Sequence, residues 1–190
     1  MNTKEIGALI EALKGKKLNM LDKDWLLTWE KSRDELDATF MVADILRAMR
    51  EANVSTKLWD SGIAVSNFRD NSTRTRFSYA SASDLLGLYV QDLDEGKSQI
   101  AHGETVRETA NMISFLTEAI GIRDDMFLGE GHTYMKEVGD ALTDGAQHGV
   151  LHRRPSIVNL QCDIDHPTQS MADLAWLREH FGSIEALKGK

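Results

Sequence analysis

Positive charge is in short supply. Lys and Arg number 22 against 30 Asp and Glu in 190 residues, a formal net charge of -8 with neutral histidine. An acidic surface attracts neither a phosphate backbone nor an anionic membrane, so the expectation is no nucleic-acid partner and no membrane partner, while a local basic site for a small anion stays open. Cysteine is scarcer still. Cys162 stands alone, which excludes an internal disulfide and a thiolate zinc cluster and leaves a small packed side chain. No apolar run approaches the ~20 residues that cross a bilayer. Residues 1–13 carry Glu5 and Glu11 where a secretory leader has a basic region followed by an apolar one. The expected location is therefore the cytoplasm. Internal repeats and low-complexity linkers are also missing.

What is present suits one globular core, with 42% hydrophobic and 27% charged residues. A helix is expected over residues 3–13, and a second opens at the capping box Ser32-Arg33-Asp34-Glu35. Its apolar positions Ala38, Val42, Ile45, Leu46 and Met49 recur at i, i+4, i+7, i+8 and i+11, which predicts one buried stripe. Trp25 and Trp29 read as inter-element packing. Short apolar runs then appear at 62–68, 88–93, 119–123 and 156–160, each followed by a helical pattern. That alternation predicts an α/β fold of three layers, a central parallel sheet of about four strands flanked by helices. Thr105-Val106-Arg107-Glu108 is a further capping box, with Val106, Ala110, Ile113 and Leu116 on one face. Pro167 suits a first helical turn ahead of Met171, Leu174, Leu177 and Phe181. Trp176 needs no cofactor to explain it, and Gly129, Gly131 and Gly145 read as turns lacking the context of a dinucleotide fingerprint.

The most informative stretch is Ser72-Thr73-Arg74-Thr75-Arg76, between the first apolar run and a helix-like run. The first N–H groups of a helix have no internal partner, the macrodipole adds positive charge, and hydroxyls and guanidinium forks complete an anion cradle. Ordinary N-capping by Ser72 with both arginines solvated is the competing reading. In open α/β sheets ligands bind beyond the carboxyl ends of the strands. The second run leads to a loop with Gln99 and His102, the third ends on Arg123, and the fourth leads through Gln161 to His166 and Gln169. Polar chemistry therefore gathers at four strand ends.

At these residues the sequence resembles the aspartate/ornithine carbamoyltransferases, in their carbamoyl-phosphate-binding domain. The resemblance is carried by Ser72 to Arg76 followed by an aromatic residue, by Gln99-Ile100-Ala101-His102-Gly103-Glu104-Thr105, by Arg123 after an Ala-Ile strand, and by His166-Pro167-Thr168-Gln169. Segments 94–105 and 124–155 look most like the YgeW-type subgroup. The resemblance implies that Ser72, Thr73, Arg74 and Thr75 bind the phosphate of carbamoyl phosphate. It implies that Arg123 and His166, with Thr75 helping, polarise the carbamoyl carbonyl, and that Gln169 accepts a hydrogen bond from the carbamoyl amide. Gln99 and His102 would reach the active site of a neighbouring subunit in a homotrimer. No metal and no cofactor are implied. The acceptor amine is not specified.

Each residue also has a plain structural reading: His166 as a helix cap, Arg123 as a surface partner of Asp124 or Asp125, Gln99 and His102 as a solvated loop. Residues 1–182 are expected to form the carbamoyl-phosphate domain and 183–190 the start of a linker to an amino-acid-binding domain that the sequence lacks. The function expected is carbamoyl transfer to an amine, with this chain supplying one half-site. The alternatives are a non-catalytic phosphate-binding module and a structural trimerising one.

Overall fold

The computed structural model describes residues 3–189; Met1 and Asn2, at the start of the expected 1–182 domain, and Lys190, at the end of the expected linker, lie outside the described residues. Helix α1 (Thr3–Lys14) and helix α2 (Arg33–Glu51) come before any strand. Strands β1 (Ile63–Phe68), β2 (Tyr89–Leu93), β3 (Ala119–Asp124) and β4 (Ser156–Cys162) then alternate with helices α3 (Thr73–Leu86), α4 (Val106–Ser114), α5 (Gly131–Gln147) and α6 (Pro167–Phe181). The strands pair in the order β2-β1-β3-β4, all parallel. The expected α/β architecture and its strand count are borne out.

Local chemistry explains the element ends. Both capping boxes form: the Ser32 hydroxyl accepts from the Glu35 amide, the Thr105 hydroxyl from the Glu108 amide, and each glutamate side chain accepts from its cap residue's amide. Gly87 stops α3 in the left-handed conformation that glycine adopts freely. The backbone of Trp25 bonds to Ile157 and Asn159, covering the free edge of β4.

The two sheet faces differ. Strand alternation sends Ile63, Val65, Ile120, Ile122 and Ile157 against α4 and α5, where Met135, Val138 and Leu142 complete the main core. Cys162 is buried there, as expected. On the other face Gly121 lies beneath Tyr79 of α3, whose hydroxyl donates to the Val65 carbonyl at 3.0 Å.

Four core expectations fail. Leu116 lies beyond the end of α4, so helical spacing no longer directs it inward, and it is exposed. Val42 is exposed, as is Phe181 at the last position of α6, whereas Phe40, off the predicted stripe of α2, is buried beneath the Arg178 guanidinium of α6. Trp29 is exposed in a short 3-10 turn. Gly131 and Gly145 are not turns but parts of α5. A Cβ at Gly131 would meet the Asp124 carbonyl, and one at Gly145 the Asn111 side chain, so close approach rather than turning selects glycine there.

Gly121→Ala is expected to destabilise the chain, because the added carbon would lie 2.6 Å from the Tyr79 ring and 2.9 Å from Leu160. Overpacking of this kind costs about 1–3 kcal/mol. A denaturant midpoint unchanged from the parent's would refute the tight contact.

Candidate functional site

A cleft of about 790 Å³ opens at the carboxyl end of the sheet and runs down the face between α3 and α6. Its polar rim holds Ser72, Arg74 and Thr75 from the start of α3, Arg123 from β3, Gln161 from β4, and His166 and Gln169 at the start of α6. Tyr79, Leu88, Val158 and Leu160 form its apolar depth. Six predicted residues, Ser72, Arg74, Thr75, Arg123, His166 and Gln169, therefore meet in one place.

The remaining three stand apart. Thr73, the first residue of α3, is exposed and does not line the cleft. Gln99 and His102 are exposed in a 3-10 turn following β2, outside the cleft of their own chain. Glu95 anchors that loop by accepting from the Asn67 side chain at 3.1 Å, the Arg69 guanidinium at 3.1 Å and the Tyr134 hydroxyl at 2.9 Å.

At the cradle, the Ser72 hydroxyl does accept from the Thr75 amide, at 3.4 Å, so the plain capping reading is correct as far as it goes. Capping and anion binding are compatible, since one acceptor satisfies one of several free donors. The two arginines differ. Arg76 stacks over Phe68 and pairs with Asp92 at 2.8 Å, a structural use. Arg74 has no hydrogen bond or ion pair among the described residues and faces the cleft.

Strand register places Arg123. It sits opposite Phe68 of β1 and, through an irregularity after Ile122, opposite Gln161 of β4. Its guanidinium donates to Asp70 at 2.9 Å, to Asp125 at 3.0 Å and to the Gln161 side-chain oxygen. Of the two partners that the sequence offers, Asp125 does pair with Arg123, whereas Asp124 does not, because neighbours in a strand face opposite ways. Asp124 is buried on the other face and pairs with Arg69. Asp70 and Gln161 are the partners that sequence reasoning misses. The one available signal was their position within two or three residues of strand ends.

Protonation follows from these surroundings. Burial, and then the adjoining Asp125 carboxyl, push Asp70 up to about 6 against the pull of Arg123. His166 is pushed below its ordinary value, first by burial and then by the Arg123 charge, so it is neutral at pH 7. Its Nδ1 lies 3.2 Å from the Thr168 hydroxyl. The Gln169 amide donates to Asp173 at 2.8 Å, which leaves its side-chain oxygen available as an acceptor. No group of three or more metal-ligating acids, histidines or cysteines occurs among the described residues. No helix among them is long and apolar enough to cross a membrane.

Residues 23–179 match the family described as aspartate/ornithine carbamoyltransferase, carbamoyl-P binding domain. The chain belongs to this family. It is 67% identical over 187 residues to "Putative carbamoyltransferase YgeW" of Escherichia coli K12, covering 98% of this chain and 47% of that protein. Its fold is similar to that of ornithine carbamoyltransferase from Pyrococcus furiosus, with a TM-score of 0.73 at 22% identity, covering 87% of this chain and 48% of the other. Aspartate transcarbamoylase from Trypanosoma cruzi, solved in complex with carbamoyl phosphate, matches with a TM-score of 0.71 at 20% identity over 90% of this chain and 48% of the other. The chain spans about half the length of the curated relatives it matches. Family membership accounts for why the four motifs occur together and in this order.

A carboxyl whose folded pKa is raised binds its proton more tightly in the native state. It therefore stabilises the fold at acid pH, and that stabilisation is lost as pH rises toward and through about 6. Asp70→Asn keeps the shape and stays neutral. The variant is expected to melt a few degrees above the parent at pH 8 and to lose that advantage at pH 4. Thermal melts across that range check it, and a variant less stable at pH 8 than at pH 4 relative to the parent would contradict it.

Proposed function

We propose that this chain supplies the carbamoyl-phosphate half-site of a carbamoyltransferase, which moves the carbamoyl group onto an amine. The observation that carries this reading is the unpaired Arg74, with Ser72 and Thr75 at the start of α3, on the same cleft as Arg123, His166 and Gln169. In the transfer the amine nitrogen attacks the carbamoyl carbon, negative charge gathers on the carbonyl oxygen, and the bond to the phosphate oxygen breaks. No enzyme nucleophile is required. Orientation and stabilisation of charge do the work.

Ser72, Thr73, Arg74 and Thr75 hold the phosphate in this reading, combining hydroxyls, free helix-terminal N–H groups and one uncommitted guanidinium. Arg123 and neutral His166 donate to the carbonyl oxygen, assisted by the Thr75 hydroxyl. Gln169, its amide nitrogen held by Asp173, accepts from the carbamoyl N–H through its oxygen. The reading assigns no metal or cofactor to the transfer. Gln99 and His102, turned away from their own cleft, serve the site of a neighbouring subunit in a homotrimer. We place the protein in the cytoplasm, assign residues 1–182 to the carbamoyl-phosphate domain and residues 183–190 to a linker, and place acceptor selection in a second domain outside these 190 residues.

Calorimetric titration is expected to show binding of carbamoyl phosphate by the parent chain. Arg74→Ala should weaken it by roughly 10- to 100-fold, the range for a lost charge-assisted hydrogen bond. No heat with the parent would sink the proposal and favour a structural role. A coupled assay is expected to show little or no carbamoylation by the isolated chain, and robust turnover would remove the need for the second domain.

A further inference from the structure

Arg123 is held from behind. Its Nε donates to Asp70 Oδ1 at 2.9 Å, its Nη2 to Asp125 Oδ2 at 3.0 Å, and its Nη1 to Gln161 Oε1, while the Gln161 amide donates back to Asp125. Three of the five guanidinium N–H groups are thus committed, and two remain. Arg123 and Gln161 line the cleft; Asp70 and Asp125 do not. The Asp70 side chain is only 7% exposed, and its second oxygen, Oδ2, is buried without a hydrogen-bond partner.

We propose that Asp70 and Asp125 act as a pair of positioning residues, clamping the Arg123 guanidinium so that its two uncommitted N–H groups face the carbonyl of bound carbamoyl phosphate. This rests on the carbamoyl-phosphate reading and adds to it two residues, neither of which touches the ligand. An arginine left to its own torsions loses rotamer freedom when it engages a ligand, whereas one already fixed at three nitrogens loses little. Preorganised donors of this kind need no rearrangement as charge develops on the oxygen.

The charge balance favours the same arrangement. Two ionised carboxylates on one guanidinium would leave a net negative charge beside an arriving phosphate. A single proton shared between Asp70 Oδ2 and Asp125 makes the cluster neutral and gives the buried oxygen a role. The charged or titratable groups facing this pair are Arg123, on which both carboxyls close, and His166 across the cleft from α6. Arg69 and Asp124 belong to the opposite face of the sheet.

The test is calorimetric titration of the 190-residue chain with carbamoyl phosphate and, separately, with inorganic phosphate, which probes the cradle alone. Asp70→Ala and Asp125→Ala are each expected to weaken carbamoyl phosphate about tenfold or more while leaving inorganic phosphate within about twofold. Asp70→Asn, which can accept from Nε and donate to Asp125, should restore most of what Asp70→Ala loses. Equal weakening of both ligands, or no weakening of either, overturns the proposal. A parent that binds neither ligand overturns the carbamoyl-phosphate reading instead. The clamp is then read directly by nitrogen-15 NMR: a slowly exchanging Arg123 Nε–H signal in the parent that disappears in Asp70→Ala supports it, and rapid exchange in the parent overturns it.

Discussion

Parallel pairing is the constraint on which the rest of this structure depends. Because β1, β3 and β4 run in one direction, their carboxyl ends emerge on a single edge, and the residue that follows each strand is delivered to the same place. Pairing of Phe68 with Arg123 and of Arg123 with Gln161 is therefore a statement about the site as much as about the sheet. A one-residue slip of β3 would turn Arg123 to the opposite face and bring Asp124 or Ile122 to the cleft.

That same alternation separates two networks that are adjacent in sequence. On the face covered by α4 and α5, Arg69, Asp124, Glu95, Tyr134 and Asn67 form a connected hydrogen-bonded group that ties the loop after β2 to the core. On the other face Asp70, Arg123, Asp125 and Gln161 form a group that opens onto the cleft. Arg69 and Asp70, like Arg123 and Asp124, are neighbours in sequence that serve different purposes. The acidic chain thus concentrates positive charge locally, with Arg74 uncommitted at the rim and Arg123 balanced by carboxylates below it.

The glycines and aromatic residues of the sheet face serve the cleft too. Gly121 gives Tyr79 room to lie across β3, and Tyr79 in turn hydrogen-bonds the β1 backbone, fixing α3 over the strand. Helix α3 carries Ser72, Arg74 and Thr75 at its first turn, so this packing determines how far the cradle stands from Arg123 and His166. A core contact and a ligand-site distance are here one and the same.

Local signals made the elements and most of the rim legible. Capping boxes, apolar runs and hydroxyl-arginine clusters act over a few residues, and the resemblance of Ser72 to Arg76, Gln99 to Thr105, Arg123 and His166 to Gln169 identified the domain. The sequence by itself determined the α/β class, the strand order along the chain and six residues of the cleft. Only the tertiary structure decided which side of β3 Arg123 takes, that Asp70 and Asp125 rather than Asp124 hold it, that Arg76 is committed to Asp92 while Arg74 is free, and that Leu116, Val42 and Trp29 are exposed. The physical reason is range. Caps and stripes depend on neighbours within a turn or two, whereas an ion pair across strands depends on a register that pairing partners settle only when the sheet has formed.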